Sequence, residues 1–233
     1  MSRKRYKGIG ILSGGMDSAT MAYLLVKEMQ YDVDFISFDY GQRHSTELHY
    51  AHRIADDLNA NWERINLIEL GCKLTGSALT DDGVDVPEGH YADETMKLTV
   101  VPNRNAIMIS AAWGIAVARK AVLIGVGMHA GDHPVYPDCR PGFIDAIQHA
   151  LKMGTQGFAE PNLELFGPFL HKSKADIVRV GTGLGVPYER TWSCYKGEAK
   201  HCGKCGTCVE RIEAFELAGE DDPTEYVEAP VPA

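Results

Sequence analysis

The sequence of 233 residues predicts an α/β fold, a doubly wound parallel sheet followed by a small zinc-binding segment near the carboxyl end. Three observations lead to this prediction. An apolar run at 7–12 passes through two glycines into a helical stretch, strand-like and helix-like segments then alternate, and four cysteines crowd between residues 194 and 208. Alternation of strands and helices favours a parallel sheet covered on both faces.

The elements follow one another in a regular order. Strands are predicted at 7–12, 33–38, 62–67 and 121–127,. Helices are predicted at 17–29, 45–59, 104–119, 140–153 and 173–184,. The irregular, glycine-rich and acidic stretch 71–100 is predicted to be a long loop or lid near a ligand site,. We expect an α/β domain at 1–190, the cysteine segment at 191–218 and an acidic, frayed tail at 219–233.

The turn after the first strand, Ser13-Gly14-Gly15-Met16-Asp17-Ser18, indicates a nucleotide site. Paired glycines allow a tight turn with uncovered N–H groups, and the new helix adds unpaired N–H groups and the positive end of its dipole. A phosphate or pyrophosphate fits such a helix start. An ordinary capped turn is the alternative, but two glycines, two hydroxyls and a carboxylate within six residues disfavour it. Walker A and Rossmann glycine patterns are missing.

The second strong signal is the cluster Cys194-x7-Cys202-x2-Cys205-x2-Cys208. In a cytosolic protein this spacing indicates a metal before a disulfide. Four thiolates form a closed tetrahedral shell, which suits structural zinc, while an iron–sulfur cluster is the competing interpretation. We favour zinc because the segment is short and no other redox feature accompanies it. Cys72 and Cys139 stand alone, and each is predicted to be a buried small residue.

Four further segments are dense in polar groups, and three of them lie at predicted strand-to-helix junctions, where a doubly wound fold collects its ligand site. They are 39–44, 101–105, 128–141 and 171–176. Taken singly, His44, His49 and His52 are predicted to be surface or capping histidines. The coincidence of the segments with the sheet edge nevertheless indicates a shared site.

Composition narrows the class of protein. Hydrophobic residues make up 45% and charged residues 24% of the chain, as in ordinary soluble domains,. No apolar stretch has the length of a membrane span, and no signal-peptide core follows the basic start. We therefore expect a cytoplasmic protein without membrane contact. The net charge of −9 and the scattered lysines and arginines disfavour stable nucleic-acid binding,.

Taken together, the motifs resemble one family. The PP-loop sequence S-G-G-x-D-S is similar to that of the ATP pyrophosphatases, whose adenine nucleotide α-hydrolase-like fold this implies. Five later motifs narrow the resemblance to the 7-cyano-7-deazaguanine synthase (preQ0 synthase) family of the queuosine pathway, over about residues 7–215. These are Tyr40–His44, Val101–Asn105, Tyr136–Pro141, His171–Lys174 and the four-cysteine segment.

The resemblance implies a ligase that converts 7-carboxy-7-deazaguanine and ammonia to a nitrile through adenylated intermediates, with ATP, Mg²⁺ and one structural Zn²⁺, in a homodimer. ATP would bind at Leu12, Ser13, Gly14, Gly15, Met16, Asp17, Ser18, Ala19, Thr20, Met21 and Ala22. Asp17, Arg104 and Lys174 are the expected catalytic residues. Asp17 would orient the loop or assist Mg²⁺, and the two cations would stabilise charge at the α-phosphorus.

The expected substrate and metal residues complete the assignment. The small-molecule substrate would contact Arg43, Asp132, Tyr136, Asp138 and Arg140, with Arg140 pairing the 7-carboxylate bidentately,. Zinc would be held by Cys194, Cys202, Cys205 and Cys208. Two alternatives stay open, a PP-loop sulfur transferase that modifies tRNA and a non-catalytic zinc-binding module with a degenerate nucleotide site.

Overall fold

The structure, a computed structural model, describes residues 6–81, 83–89 and 96–227. Within these ranges five strands form one parallel sheet in the order β3-β2-β1-β4-β5. The strands are β1 (Lys7–Ile11), β2 (Asp32–Asp39), β3 (Asn61–Asn66), β4 (Leu123–Gly125) and β5 (Glu164–Phe166). The chain moves outward from β1 to β3 and then crosses back to β4. The strand order therefore reverses between β1 and β4, where folds of this class bind their ligands.

Helices cover both faces of the sheet. They are α1 (Met16–Tyr23, continued by a π-helical turn at Leu24–Glu28), α2 (Glu47–Asp57), α3 (Ile68–Gly71), α4 (Arg104–Ala118), α5 (Pro141–Gly154), α6 (Lys174–Leu184) and α7 (Gly206–Ala218). Helices α1, α2, α6 and α7 pack on the face that carries Phe35, and α4 packs on the face that carries Ile36. Neighbouring strand residues thus enter opposite cores, as the alternation of side chains along a strand requires. The predicted doubly wound α/β class is confirmed.

Three of these elements, α3, β5 and α7, escaped the sequence prediction, and α3 is a single turn of four residues. Strand β5 has only three residues, Glu-Leu-Phe, so it offers too short a pattern to identify,. Helix α7 starts directly after Cys205 and has little amphipathic pattern, because its buried face includes the polar residues Thr207 and Arg211. The predicted helices and the other strands are found with shifts of a few residues at their ends,.

The start of the predicted tail contacts the fold. Arg211 is fully buried and donates through Nε and Nη2 to the Asp222 carboxylate, which also accepts from the Tyr226 hydroxyl at 2.6 Å. The Val227 amide donates to the His201 carbonyl. Residues 228–233 of the predicted tail lie outside the described ranges.

Candidate active site

A cavity lies at the carboxyl ends of β1 and β4, at the point where the strand order reverses. Its wall combines the loop after β1 with polar segments that follow β2 and β4 and with the start of α4. Segments 192–195 and Thr207, which flank the cysteine cluster, close another side. The four polar segments identified in the sequence thus each contribute to one cavity, although only three of them were predicted to lie at strand-to-helix junctions.

The loop after β1 presents the start of α1 to this cavity. Gly14 adopts a φ of +88°. Gly15 is the N-cap of α1 in an extended conformation, and as a glycine it has no side chain that could bond to the first N–H groups of the helix. The Ser18 hydroxyl donates to the Gly15 carbonyl at 3.0 Å, and Ser13 and Ser18 share a hydrogen bond of 3.0 Å between their hydroxyls. The first N–H groups of α1 are therefore left for a ligand, and the helix dipole favours an anion there.

Gly14 also lets the loop pack tightly against α2. A Cβ atom at this position would overlap the Glu47 carbonyl oxygen and lie 2.9 Å from the Ala51 amide nitrogen. On the other side, the Trp192 amide donates to the Gly14 carbonyl at 2.8 Å. The loop is held between α2 and the segment that leads to the cysteines.

Replacing Gly14 with alanine should therefore lower the free energy of unfolding by about 3 kcal/mol and disrupt an anion site at the start of α1, because both the positive φ and the contact with α2 oppose a side chain. Chemical denaturation and titration calorimetry with ATP would measure the two effects. Gly76→Ala is the matched control, since Gly76 has a φ of +86° but nothing within 4 Å of its Cβ position. It should cost only about 1 kcal/mol and leave ATP binding intact; equal effects of the two variants would exclude a packing role for Gly14.

Arg104 supplies positive charge to the opposite wall. It is the first residue of α4, directly after Asn103 with a φ of +54°. Its Nη1 donates to the Tyr40 hydroxyl at 3.2 Å, and the guanidinium lies 5.9 Å from the Tyr40 ring centre. Among the described residues, no carboxylate lies within ion-pair distance of Arg104. A half-buried guanidinium facing a cavity without an anionic partner is prepared to bind an anion.

Lys174 lies in a network of acidic side chains beside α1. Its Nζ is 2.6 Å from Glu210 Oε2 and 3.3 Å from Asp17 Oδ2. Burial alone would lower the pKa of this ammonium group, but Asp17, Glu210 and Asp132 raise the pKa above its ordinary value,. Lys174 therefore carries a positive charge, and it links α1 to α7.

His129 joins the same network from the loop after β4. Its Nδ1 accepts from the Gly131 amide at 3.0 Å, so the ring hydrogen lies on Nε2,. Nε2 is 3.5 Å from Asp132 Oδ1, 3.8 Å from Glu210 Oε1 and 3.9 Å from Asp17 Oδ2. Three carboxylates thus surround one lysine and one histidine, and Asp17 Oδ1 keeps no hydrogen-bond partner among the described residues.

Glu47 and His44 form a second buried pair in the wall. Glu47 Oε1 accepts from Gln42 Nε2 at 3.0 Å, and Glu47 Oε2 is 3.5 Å from His44 Nε2. Burial raises the pKa of Glu47 to about 7, although the Gln42 amide and the positive charge of Arg104 act against this rise,. Burial, with the charges of Arg104 and Arg43, lowers the pKa of His44 to about 3. His44 is therefore neutral and does not compensate a charge on Glu47.

The cavity contains most of the residues expected from the sequence, but some lie elsewhere. Asp17, Asp132, Tyr136, Arg104 and Lys174 line it, as do Leu12, Ser13, Gly15, Met16 and Ser18. Gly14 faces α2 and does not line the cavity. The remaining expected residues are buried in α1 against the core, outside the lining: Ala19, Thr20, Met21 and Ala22.

Three expected substrate residues also lie outside the lining. Arg43 Nη2 donates to the carbonyls of Asp81 and Val84, so it holds the long loop. Asp138 accepts from the Asn105 amide at 3.0 Å and thereby fixes the start of α4. Arg140 is exposed and donates through Nε to the His133 carbonyl at 2.8 Å. These three side chains therefore bond to backbone groups of the segments around the cavity.

Sequence reasoning gave no role in the site to Glu47, which lines the cavity, or to His129 and Glu210, which contact its lining residues Asp17 and Lys174. His44 was expected at the surface or as a helix cap, but it is buried in the cavity wall. Glu47 and His129 belong to segments that follow strands, so their positions in the sequence could have indicated that they lie near the site. Glu210 follows the cysteine cluster and reaches the loop only through the tertiary packing of α7 on α6.

The four cysteines of the cluster meet as predicted. Their sulfurs all lie within 4.8 Å of one another, and all four residues are buried. Backbone amides of Cys205 and Lys204 approach Cys202 Sγ at 3.3 and 3.4 Å, and the Cys202 amide approaches Cys194 Sγ at 3.4 Å. N–H groups aimed at sulfur stabilise thiolates that hold a metal. The cluster could thus hold a metal ion. Of the lone cysteines, Cys139 is buried as predicted, whereas Cys72 is exposed and that prediction was wrong.

No helix in the described part of the chain is both long and apolar enough to cross a membrane.

Comparisons of the sequence with known proteins agree on one family. The sequence model described as "Queuosine biosynthesis protein QueC" matches residues 7–219. Proteins named 7-cyano-7-deazaguanine synthase are similar at 54% identity in Brucella anthropi and 53% in Brucella ovis, each over 96% of this chain and 94% of the relative. Among solved structures, the U34-tRNA thiolase NcsA of Methanococcus maripaludis has a TM-score of 0.51 and 16% identity, covering 92% of this chain and 66% of that one. At that identity the likeness concerns the fold alone.

Proposed function

The chain belongs to the QueC family of queuosine biosynthesis proteins, and from this membership we propose that it converts 7-carboxy-7-deazaguanine and ammonia to 7-cyano-7-deazaguanine at the expense of ATP. The observation that carries the proposal is the placement of Arg104. Its guanidinium, without an anionic partner among the described residues, faces the same cavity as the anion-binding start of α1. Such a cavity suits a substrate carboxylate beside a triphosphate.

The chemistry requires activation of the carboxylate, because its oxygen is a poor leaving group. The carboxylate oxygen attacks the α-phosphorus of ATP, pyrophosphate leaves, and an acyl adenylate forms. Ammonia then displaces AMP and gives the amide. The amide oxygen is adenylated by a second ATP, and loss of a proton and of AMP gives the nitrile.

Each side chain receives a role in this scheme as part of the proposal. The N–H groups at the start of α1, with the Ser13 and Ser18 hydroxyls, hold the β- and γ-phosphates. Arg104 and Lys174 stabilise the charge that develops at the α-phosphorus and the carboxylate. Asp132 and Tyr136 contact the deazaguanine. Arg43, Asp138 and Arg140 act indirectly, by holding the loops around the cavity.

Asp17 is the proposed protein ligand of Mg²⁺. Its Oδ1 has no hydrogen-bond partner among the described residues, and Mg²⁺ is commonly bound by one or two carboxylates together with substrate phosphates,. When bound, the ion offsets the negative charge of the phosphates.

The four thiolates are proposed to hold one structural zinc, which their mutual distances fit,. We further propose the division into an α/β domain at 1–190, the cysteine segment at 191–218 and the tail, together with a cytoplasmic homodimer that does not stably bind nucleic acid. Sulfur transfer to tRNA is disfavoured, because that reaction calls for a catalytic pair of cysteines. The two cysteines outside the cluster do not share one environment, since Cys72 is exposed whereas Cys139 is buried in the cavity wall.

One assay tests the function. Purified protein is incubated with ATP, Mg²⁺, ammonium and 7-carboxy-7-deazaguanine, and the products are measured by mass spectrometry. We expect the nitrile together with AMP, and the amide as an intermediate at short times. Lys174→Ala should stop ATP consumption that depends on the deazaguanine. Consumption of ATP that is indifferent to the carboxylate substrate would contradict the proposal.

A further inference from the structure

The ammonia nucleophile needs a site of its own, and the buried pair of Glu47 and His44 has no role in the scheme so far. Both residues line the cavity, and their side chains are 13% and 5% exposed. Glu47 begins α2 directly beneath the phosphate-binding loop, because its carbonyl oxygen packs against Gly14. The pair therefore lies beside the loop, and the charge of Arg104 acts on both of its residues.

Within the described ranges, no cationic side chain forms an ion pair with the Glu47 carboxylate. Its nearest partners are the Gln42 amide at 3.0 Å and the neutral His44 ring at 3.5 Å. Gln42 is itself anchored, since its Nε2 also donates to the Phe38 carbonyl and its Oε1 accepts from the Tyr40 amide. The Gln42 amide thus fixes Glu47 Oε1, whereas Glu47 Oε2 faces the His44 ring. A buried carboxylate held in this way gains from a cation that arrives with the substrate.

His44 adds an acceptor rather than a charge. Its Nε2 faces Glu47 Oε2, and its Nδ1 has no hydrogen-bond partner among the described residues. The Tyr195 ring lies 5.2 Å from the imidazole, centre to centre. Carboxylate oxygen, unpaired imidazole nitrogen and aromatic face are the groups that bind a small ammonium ion.

We propose that Glu47, supported by His44, binds ammonium in this cavity and takes its proton to release ammonia beside the acyl adenylate. This inference rests on the proposed function. Burial favours the protonated, uncharged form of Glu47, and the charge of Arg104 disfavours a cation that stays nearby, so a proton passed from ammonium to Glu47 leaves neutral ammonia.

The step balances. Ammonium gives one proton to the Glu47 carboxylate, and the freed electron pair on nitrogen attacks the acyl carbon. A C–N bond forms, the C–O bond to AMP breaks, and a second proton moves from nitrogen to the departing phosphate. The products are the amide, protonated AMP and a neutral Glu47, which returns its proton to solvent before the next turnover.

Glu47→Gln tests the proposal, because glutamine keeps the shape but cannot accept a proton. Two reactions are measured in wild type and variant: exchange of labelled pyrophosphate into ATP with 7-carboxy-7-deazaguanine, which reports adenylation, and formation of the amide with ammonium. We expect exchange within about twofold of wild type and amide formation slower by about 100-fold or more. The acyl adenylate should accumulate in the variant and be detectable by mass spectrometry after rapid quenching.

Asp56→Asn is the matched control on the same helix, since the Asp56 side chain is 65% exposed and pairs with His52 at the surface,. It should change neither reaction. Thermal melting of both variants establishes that they are folded. Normal amide formation in Glu47→Gln would overturn the proposal, as would equal loss of exchange, which would place Glu47 on the deazaguanine instead. If wild type itself lacks exchange dependent on the carboxylate, the proposed function fails, whatever Glu47 does.

Discussion

Replacing Arg104 with methionine is expected to slow product formation by about two to three orders of magnitude while the protein remains folded. The reason is the combination of charge and position. The guanidinium faces the cavity, it is held by the Tyr40 hydroxyl, and it has no anionic partner among the described residues that the substitution would strand. Steady-state formation of AMP with 7-carboxy-7-deazaguanine, together with a thermal melt, would measure both parts of the expectation.

Arg104→Lys separates charge from geometry. Lysine keeps the positive charge but loses the planar fork that binds a carboxylate with two parallel hydrogen bonds. The lysine variant should therefore recover only part of the rate, with a raised KM for the carboxylate substrate. As an unrelated control, Arg179→Met removes a guanidinium that is 50% exposed and paired with Asp176 at the surface. Unchanged turnover in Arg104→Met would remove this residue from the site.

The sheet and the glycine turn after β1 could be predicted because local sequence determines them. Gly14 and Gly15 permit one kind of turn, and the apolar run before them leaves few alternatives to a buried strand. The four-cysteine cluster could also be predicted, since the ligands of one metal must come together whatever the surrounding fold. In each case the residues that cooperate are close in sequence.

The second layer of the site could not be predicted, because its partners are distant in the chain. Glu210 contacts Lys174 only because α7 packs on α6, and nothing near residue 210 in the sequence indicates this. The sequence around His44 does not distinguish it from a surface histidine. The packing of Tyr195 and of the start of α2 around the ring makes His44 buried and neutral. A pattern of residue types indicates that a polar group is present, whereas its burial depends on the whole fold.

These long-range contacts give the cysteine cluster an influence on the chemistry. Cys205 caps the start of α7, and the same helix carries Thr207 into the cavity wall and Glu210 to Lys174. The segment before the cluster also touches the loop, through the Trp192 amide and the Gly14 carbonyl. A metal held by the four sulfurs would therefore fix the position of two walls of the cavity without contacting the substrate.

Replacing Cys205 with serine should accordingly lower metal content, stability and activity together. We expect zinc to fall well below one per chain and the free energy of unfolding to fall by at least about 4 kcal/mol, because a closed four-thiolate shell loses a ligand and three buried thiolates lose their charge compensation. Adenylation should decline as α7 releases Lys174. Elemental analysis, chemical denaturation and pyrophosphate exchange would measure these effects.

Cys72→Ser is the matched control for this substitution, because Cys72 is exposed and lies outside the cluster. It should leave zinc content, stability and exchange as in wild type. A Cys205→Ser protein that kept one zinc per chain would refute the ligand assignment. A protein that lost zinc and stability but exchanged pyrophosphate at the wild-type rate would refute the coupling, because Glu210 could then not depend on the metal for its position beside Lys174.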